Sequence, residues 1–207
     1  MIPIIPFVCV ITDEAFCPVT LAEQALKGGT AMIQLRHKSA SGSQLYRWAV
    51  AIRERCQQYS ACFIMNDRVD IAMASNADGV HLGQEDMPAK AARQIMGNSR
   101  LIGVSTSSLE EALQAQNEGA DYIGFGHIYP TSSKEKKNPP VGTELLQQLS
   151  ASITIPIVAI GGISLQNAAT IIACGAQGVA VISAVSRAEN PLDATNQLVR
   201  TIKGAGV

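Results

Sequence analysis

Eight short apolar runs rich in β-branched residues recur along the chain, at 7–11, 31–35, 62–65, 79–82, 101–104, 122–125, 155–160 and 178–182. A stretch with helical periodicity follows each, at 20–27, 42–57, 69–75, 88–96, 109–118, 143–149, 165–174 and 192–203. Strict alternation of this kind predicts an α/β architecture. Apolar runs bounded by glycine fit parallel strands covered on both faces. Eight strand–helix pairs predict a closed (β/α)8 TIM barrel, built as one domain over residues 1–207. An open doubly wound sheet is the competing architecture and would normally have fewer strands. Neither a linker nor a low-complexity stretch divides the chain.

Composition narrows the function classes. The chain has 47% hydrophobic and 16% charged residues, which excludes a disordered chain or a coiled coil. A net charge of −1 without a long basic run argues against nucleic-acid binding. Cys9, Cys17, Cys56, Cys62 and Cys174 are scattered and lack C-x-x-C spacing, so they read as buried thiols of a reducing compartment. Two prolines interrupt the apolar N-terminus, which has no charged leader. No membrane span is predicted, and a cytoplasmic location is expected.

The pattern is densest between Pro156 and Ser183. One β-branched run leads into Gly161-Gly162 and the next into Ser183. Leu165, Ala168, Ala169 and Ile172 follow i, i+3, i+4, i+7 spacing, the stripe of a helix lying on a sheet. Gly175 is placed to end that helix. Two strands each opening at once into a helix would set two helix N-termini side by side. Backbone N–H groups and positive dipole ends would converge there, predicting a phosphate cup at the two openings.

In such a barrel the loops at the C-terminal ends of the strands build the site. Gln34, Arg36 and Lys38 alternate at the end of the second run, which places them on one side. Two cations and an amide suit a polyanion, and arginine can fork onto two phosphate oxygens. Asn66 and Asp67 follow the third run and Asp86 follows the fourth. Each aspartate admits two readings, an N-cap for the next helix or a hard ligand for Mg²⁺. Their position beside Arg36 and Lys38 favours the metal. Ser107 with Glu110, or Ser108 with Glu111, fits a capping box, which leaves Ser105 as the functional serine after the fifth run. The longest connection, 126–142, carries Thr131, Ser133 and Lys134, whereas Lys136 and Lys137 read as a solvated charge run. His81 is expected to face the barrel wall and His37 to point away from Arg36; His127 stands at the mouth.

These residues, in order, resemble the thiamine-phosphate synthase family. The resemblance is carried by Gln34-x-Arg36-x-Lys38, Asn66-Asp67-Arg68-Val69-Asp70, His81-Leu82-Gly83-Gln84-Glu85-Asp86 and Gly103-Val104-Ser105. It continues through Gly124-Phe125-Gly126, Tyr129-Pro130-Thr131-x-Ser133-Lys134, Ala159-Ile160-Gly161-Gly162-Ile163 and Val181-Ile182-Ser183-Ala184. Each motif is weak alone; the ordered set spans nearly the whole chain and is specific. The resemblance implies a (β/α)8 barrel that joins 4-amino-2-methyl-5-hydroxymethylpyrimidine diphosphate to a thiazole or carboxythiazole phosphate, giving thiamine phosphate and pyrophosphate. Carried over, it implies that Arg36, Lys38, Asn66 and Lys134 hold the diphosphate and that Asp67 and Asp86 hold Mg²⁺. Gln34 and Ser105 would touch the pyrimidine side. Thr131, Ser133, Gly162, Ile182 and Ser183 would seat the thiazole phosphate. A dissociative path through a pyrimidine carbocation is implied, with Arg36, Lys38, Ser105 and Lys134 as its catalytic groups. The implied partners are these small molecules. A homo-oligomer is compatible with the sequence and not fixed by it.

Two positions depart from the family pattern. His127 stands where the synthases commonly have proline, and Ser133 replaces a frequent threonine. Thiazole tautomerases share the fold but carry a histidine just after strand five, where this chain has Ser107. They also tend to lose the metal carboxylates and the Gln-x-Arg-x-Lys pattern, which this chain keeps. A barrel that binds phosphorylated ligand without turnover is the third reading, and it would need no metal pair.

Overall fold

The computed structural model describes residues 1–131 and 139–205. Its strands are β1 (Phe7–Ile11), β2 (Met32–Leu35), β3 (Cys62–Asn66), β4 (Gly79–Leu82), β5 (Leu101–Thr106), β6 (Tyr122–Gly126), β7 (Ile157–Ile160) and β8 (Gly178–Val181). All are parallel neighbours in chain order, and β1 pairs with β8 through Val8↔Val179 and Cys9↔Ala180, so the barrel closes. The helices are α1 (Pro18–Lys27), α2 (Gly42–Gln58), α3 (Val69–Ala74), α4 (Ala89–Met96), α5 (Leu109–Asn117), α6 (Gly142–Ser150), α7 (Ala168–Ala173), α8 (Ser183–Ser186) and α9 (Pro191–Ala205).

Each strand is buried on both faces because alternate residues belong to two different layers. Val8, Val10, Ile33, Phe63, Val80, Ile102 and Ile123 pack outward with the helices. Phe7, Cys9, Ile11, Met32, Cys62, Ile64, Tyr122 and Val158 fill the barrel interior. Continuous apolar runs, rather than alternating ones, are the sequence mark of that two-sided burial. The inward parity also fixes which polar residues end up inside: Gln34, Asn66 and His81 are all buried.

Several boundaries differ from expectation for identifiable reasons. β7 begins at Ile157, since Pro156 has no N–H for the ladder and contributes only its carbonyl, which accepts from Ile123 N–H at 3.0 Å. The helix expected over 165–174 starts only at Ala168. Asn167 holds the preceding turn open, accepting from Ser164 N–H at 2.8 Å and donating through Nδ2 to the Gly162 carbonyl at 3.0 Å. Leu165 is therefore exposed outside the helix, and Ile163, Ala168 and Ile171 are the buried residues of that segment. The helix start expected at Ser183 is present as the single short turn of α8. The thiols split: Cys9, Cys56 and Cys62 are buried, but Cys17 is exposed at the N-cap of α1 and Cys174 is half-buried. All five are free. Burial pushes the Cys56 thiol up to about 12. Among the described residues, no helix is long and apolar enough to cross a membrane.

Candidate active site

The C-terminal mouth of the barrel has a charged side, built after β1–β4. Thr12 Oγ1 donates to the Arg36 carbonyl at 2.9 Å and accepts from Arg36 N–H at 2.8 Å, which stitches the loop after β2 to the loop after β1. Glu14 then gathers the same loop. It accepts from Lys38 N–H at 3.0 Å and Ser39 Oγ at 3.1 Å, and pairs with Arg36 Nη1 at 3.3 Å. The Lys38 N–H bond, with Ser39 and the Arg36 charge, holds the Glu14 carboxyl below its ordinary value. His37 stacks near Trp48, ring centroids 5.0 Å apart, but its Nδ1 also lies 3.5 Å from Glu14 Oε2, so it shares the carboxylate that pairs with Arg36 instead of pointing wholly away from it.

Neither aspartate is a helix cap. Asp67 has a left-handed φ of 61°, and the residue at the N-cap of α3 is Arg68, without a side-chain cap bond. Asp67 N–H donates to the His81 carbonyl at 2.8 Å, and this turns the carboxylate onto Lys38 Nζ at 2.5 Å. Asp86 accepts from Gly83 N–H at 2.7 Å, closing its own loop, while Pro88 occupies the N-cap of α4. The two carboxyl groups meet each other. Burial pushes the Asp67 carboxyl up; Lys38 opposes this, and Asp86 adds to it. Two carboxylates in contact at a partly buried rim are short of positive charge, which suits a divalent cation with oxygen ligands from protein and substrate. Among the described residues, no cluster of three or more His, Cys, Asp or Glu forms a cage, and Mg²⁺ characteristically takes one or two carboxylates plus phosphate oxygens.

The barrel interior beneath the mouth is a small cavity lined by Gln34, His81, Ser105 and Tyr122, among others. His81 does not face the wall. Its Nε2 is 2.9 Å from Ser105 Oγ and its Nδ1 is 3.1 Å from the Tyr122 hydroxyl. Gln34 Oε1 is buried without a hydrogen-bond partner among the described residues. Such an orphan acceptor is uncommon and marks a place where a ligand donor belongs. Ser107 and Ser108 are structural, as predicted: Ser108 Oγ accepts from Glu111 N–H at 3.1 Å, and Glu111 accepts from Ser107 N–H at 2.6 Å.

The opposite side of the mouth, after β6–β8, is made mostly of backbone. His127, Thr131, Gly161, Gly162, Ile182 and Ser183 line one cleft. Gly161 and Gly162 have φ of 98° and 66°, a region open to glycine at little cost. A Cβ on Gly162 would lie 2.7 Å from Tyr129 Cβ, and one on Gly161 would strike His127. The loop after β6 is tied down against this turn, with Ile128 N–H on the Ile160 carbonyl at 2.9 Å and Tyr129 N–H on the Gly161 carbonyl at 3.1 Å. Only one helix, α8, opens directly at the cleft, because α7 starts late; the expected pair of helix N-termini is a glycine turn beside one short helix. The Gly126–His127 peptide is cis, and His127 is buried. The cleft and the interior cavity share Ile160 and Ala180, so they adjoin. Ser133 and Lys134 lie outside the described residues.

Thus Gln34, Arg36, Lys38, Asn66, Asp67, Asp86 and Ser105 belong to one continuous rim and interior, with Thr131, Gly162, Ile182 and Ser183 in the adjoining cleft. Glu14, Thr12 and Tyr122 have no part in the sequence reading of the site, and His81 enters it only as a wall residue. A signal existed for the last two: Gly103 and Gly124 stand at inward positions of β5 and β6, where a barrel needs room for large rings from neighbouring strands. Asp13 also escaped notice; it accepts from Ser186 Oγ at 2.8 Å and links the charged side to α8.

Fold and mouth together define a (β/α)8-barrel enzyme whose site takes anionic small molecules at the C-terminal ends of its strands. Residues 8–185 match the family model described as thiamine monophosphate synthase. A thiamine-phosphate synthase of Chlorobium limicola is 60% identical over 199 residues, covering 96% of this chain and 95% of that one. The corresponding protein of Methanospirillum hungatei is 48% identical over 85% of this chain and 87% of its own. The solved thiamine phosphate pyrophosphorylase from Pyrococcus furiosus superposes with a TM-score of 0.91 at 41% identity, covering 97% of this chain and 96% of that one. The chain belongs to the thiamine monophosphate synthase family.

Proposed function

We propose that this chain, acting as a single cytoplasmic domain over residues 1–207, joins the pyrimidine diphosphate to thiazole phosphate and releases pyrophosphate. The observation that carries the reading is the pairing of a charged rim with a neutral backbone cleft, sharing Ile160 and Ala180 as a common wall. Bond breaking needs charge stabilisation on one side only. Arg36 and Lys38, held by Thr12 and Glu14, face the leaving diphosphate with Asn66, and Lys134 is assigned to the same task. Asp67 and Asp86 would hold Mg²⁺, which supplies Lewis-acid neutralisation of the diphosphate when bound. Lys38 would then exchange its partner Asp67 for a phosphate oxygen.

Gln34 and Ser105 receive the pyrimidine in the interior, where apolar walls keep water from a cationic methylene. Thr131, Ser133, Gly162, Ile182 and Ser183 seat the thiazole phosphate, on which no bond changes. No protein nucleophile is required, because the thiazole nitrogen attacks. Of the serine–histidine contacts, Ser105–His81 lies beneath the mouth in the interior cavity, and at the rim Ser39 Oγ, 3.4 Å from His37 Nδ1, donates its proton to Glu14 at 3.1 Å, so neither is arranged as a hydrolase nucleophile and base. A tautomerase reading gains no support from Ser107, which is engaged with Glu111.

The test is pyrophosphate release from the pyrimidine diphosphate, with and without thiazole phosphate and with and without Mg²⁺. Release that requires all three, with thiamine phosphate as co-product, is the expected result. A folded protein that binds thiazole phosphate but releases no pyrophosphate would overturn the reading. Chelation should abolish turnover, and added Mg²⁺ should restore it. Gel filtration coupled to light scattering decides whether the active species is a monomer or a homo-oligomer.

A further inference from the structure

Beneath the mouth, two rings occupy space that two glycines leave for them. A Cβ on Gly124 would sit 2.8 Å from His81 Cε1, and one on Gly103 would collide with the Tyr122 ring. His81 bridges the Tyr122 hydroxyl on one nitrogen and Ser105 Oγ on the other, at 3.1 and 2.9 Å. Burial pushes the Tyr122 hydroxyl well above its ordinary value, so it stays protonated and has one proton to donate. Among the described residues, its side-chain hydrogen-bond partner is His81 Nδ1. A buried hydroxyl that fails to donate is penalised, so Nδ1 is the acceptor and the imidazole proton resides on Nε2. Nε2–H then donates to Ser105 Oγ, and the serine proton is directed away from the histidine into the cavity. Gln34 Oε1, an acceptor that lacks a donor among the described residues, lines the same cavity.

We infer that His81, held as its Nε2–H tautomer by Tyr122, is a positioning residue that makes Ser105 a hydrogen-bond donor toward the pyrimidine ring. The consequence is a matched pair of opposite polarity, a donor from Ser105 and an acceptor from Gln34. A 4-aminopyrimidine edge complements it, with a ring nitrogen that accepts beside an amino group that donates. A ring with the reversed pattern, a carbonyl beside an N–H, meets a mismatch at Gln34, where two acceptors would face each other. This inference rests on the proposed reaction, yet its structural half can be tested without it.

The ¹⁵N chemical shifts of His81 in the wild-type protein, assigned by comparison with His81→Gln, report the tautomer directly. A protonated Nε2 with a bare Nδ1 is expected; a proton on Nδ1 would overturn the inference whatever the activity. In the kinetic half, Tyr122→Phe releases the tautomer and should lower kcat/KM for the pyrimidine diphosphate about tenfold, with KM for thiazole phosphate unchanged. His81→Leu should do the same, whereas His81→Gln keeps an N–H donor near the Nε2 position and should recover most of the loss. Equal losses in His81→Gln and His81→Leu, or an unaffected Tyr122→Phe, would sink the positioning role. If the wild type releases no pyrophosphate at all, the functional reading falls, and the tautomer measurement still decides the hydrogen-bond direction.

Discussion

The two sides of the barrel mouth hold their polar groups by different means. After β1–β4 the rim is made of long charged side chains that restrain one another: Glu14 on Arg36 and Lys38, Lys38 on Asp67, Asp67 on Asp86. After β6–β8 it is made of backbone, a left-handed glycine turn pressed against the loop after β6. Side chains on the first rim can change partners when a polyanion arrives. The glycine turn cannot, because the neighbouring atoms leave no room for a Cβ. A leaving group that gains charge requires the first kind of site, and a phosphate that is a passive handle is served by the second.

Four substitutions would break or sharpen that contrast. The largest effect is expected from Asp67→Asn, which keeps a residue tolerant of the left-handed backbone. It should reduce turnover about 10²–10³-fold. The Asp67 carboxyl is raised in the folded protein, so the fold binds its proton more tightly than the unfolded chain does. Its ionisation therefore lowers stability as pH rises through the raised pKa, and the penalty persists at neutral pH. In metal-free buffer at pH 7 the variant should melt at or above the wild-type temperature, with the difference shrinking as pH falls toward about 4. A less stable variant, seen by circular dichroism melting, would make Asp67 structural.

Next comes Gly162→Ala. Its Cβ meets Tyr129 and the Pro130 carbonyl, and its φ is positive. The strain should cost about 1–3 kcal/mol and raise KM for thiazole phosphate about tenfold, leaving KM for the pyrimidine diphosphate near its original value. A rise confined to the other substrate would show that the two sides have been assigned the wrong way round.

Glu14→Gln is a smaller perturbation, since the Glu14–Arg36 pair is partly exposed. It should raise KM for the pyrimidine diphosphate about two- to fivefold. The Glu14 carboxyl is depressed, so its contribution to stability is full above its ordinary value and disappears as pH falls through the depressed one. In the variant that contribution is absent at every pH, so it should be less stable than the wild type at pH 7, with the difference vanishing as pH falls through the depressed value. Identical stability at pH 7 and unchanged KM would remove Glu14 from the rim.

Ser108→Ala, away from both sides, serves as the control. Loss of the cap on α5 should cost about 1 kcal/mol, a fall in melting temperature of about 2–4 °C, with turnover unchanged. A kinetic effect there would mean that the loop after β5 is coupled to the mouth.

Much of this was legible without coordinates, because hydrophobic period and strand parity are local properties of the chain. Gln34, Arg36 and Lys38 announce their common side by alternation, Asp67 and Asp86 each follow a recognisable strand, and Ser105 stands near the end of β5, which runs two residues past the expected 101–104. The capping role of Ser108 was equally readable, since a cap bonds only to its own helix. The readings of Asp67 and Asp86 as caps failed because the competing partners, Lys38 and Gly83, are set by loop geometry that no propensity encodes. The helix through Leu165 failed because Asn167 diverts two backbone groups into a turn.

The eight-fold alternation, the two-layer burial and the set of residues at the strand ends were thus determined by the order of residues alone. Periodicity needs no knowledge of what lies across the barrel. Tertiary structure decided the rest: the meeting of Asp67 with Asp86, the orphaned Gln34 oxygen, and the Tyr122–His81–Ser105 chain across β6, β4 and β5. These contacts join residues up to 41 positions apart, and they form only when barrel closure turns the inward parity of separate strands toward a shared interior.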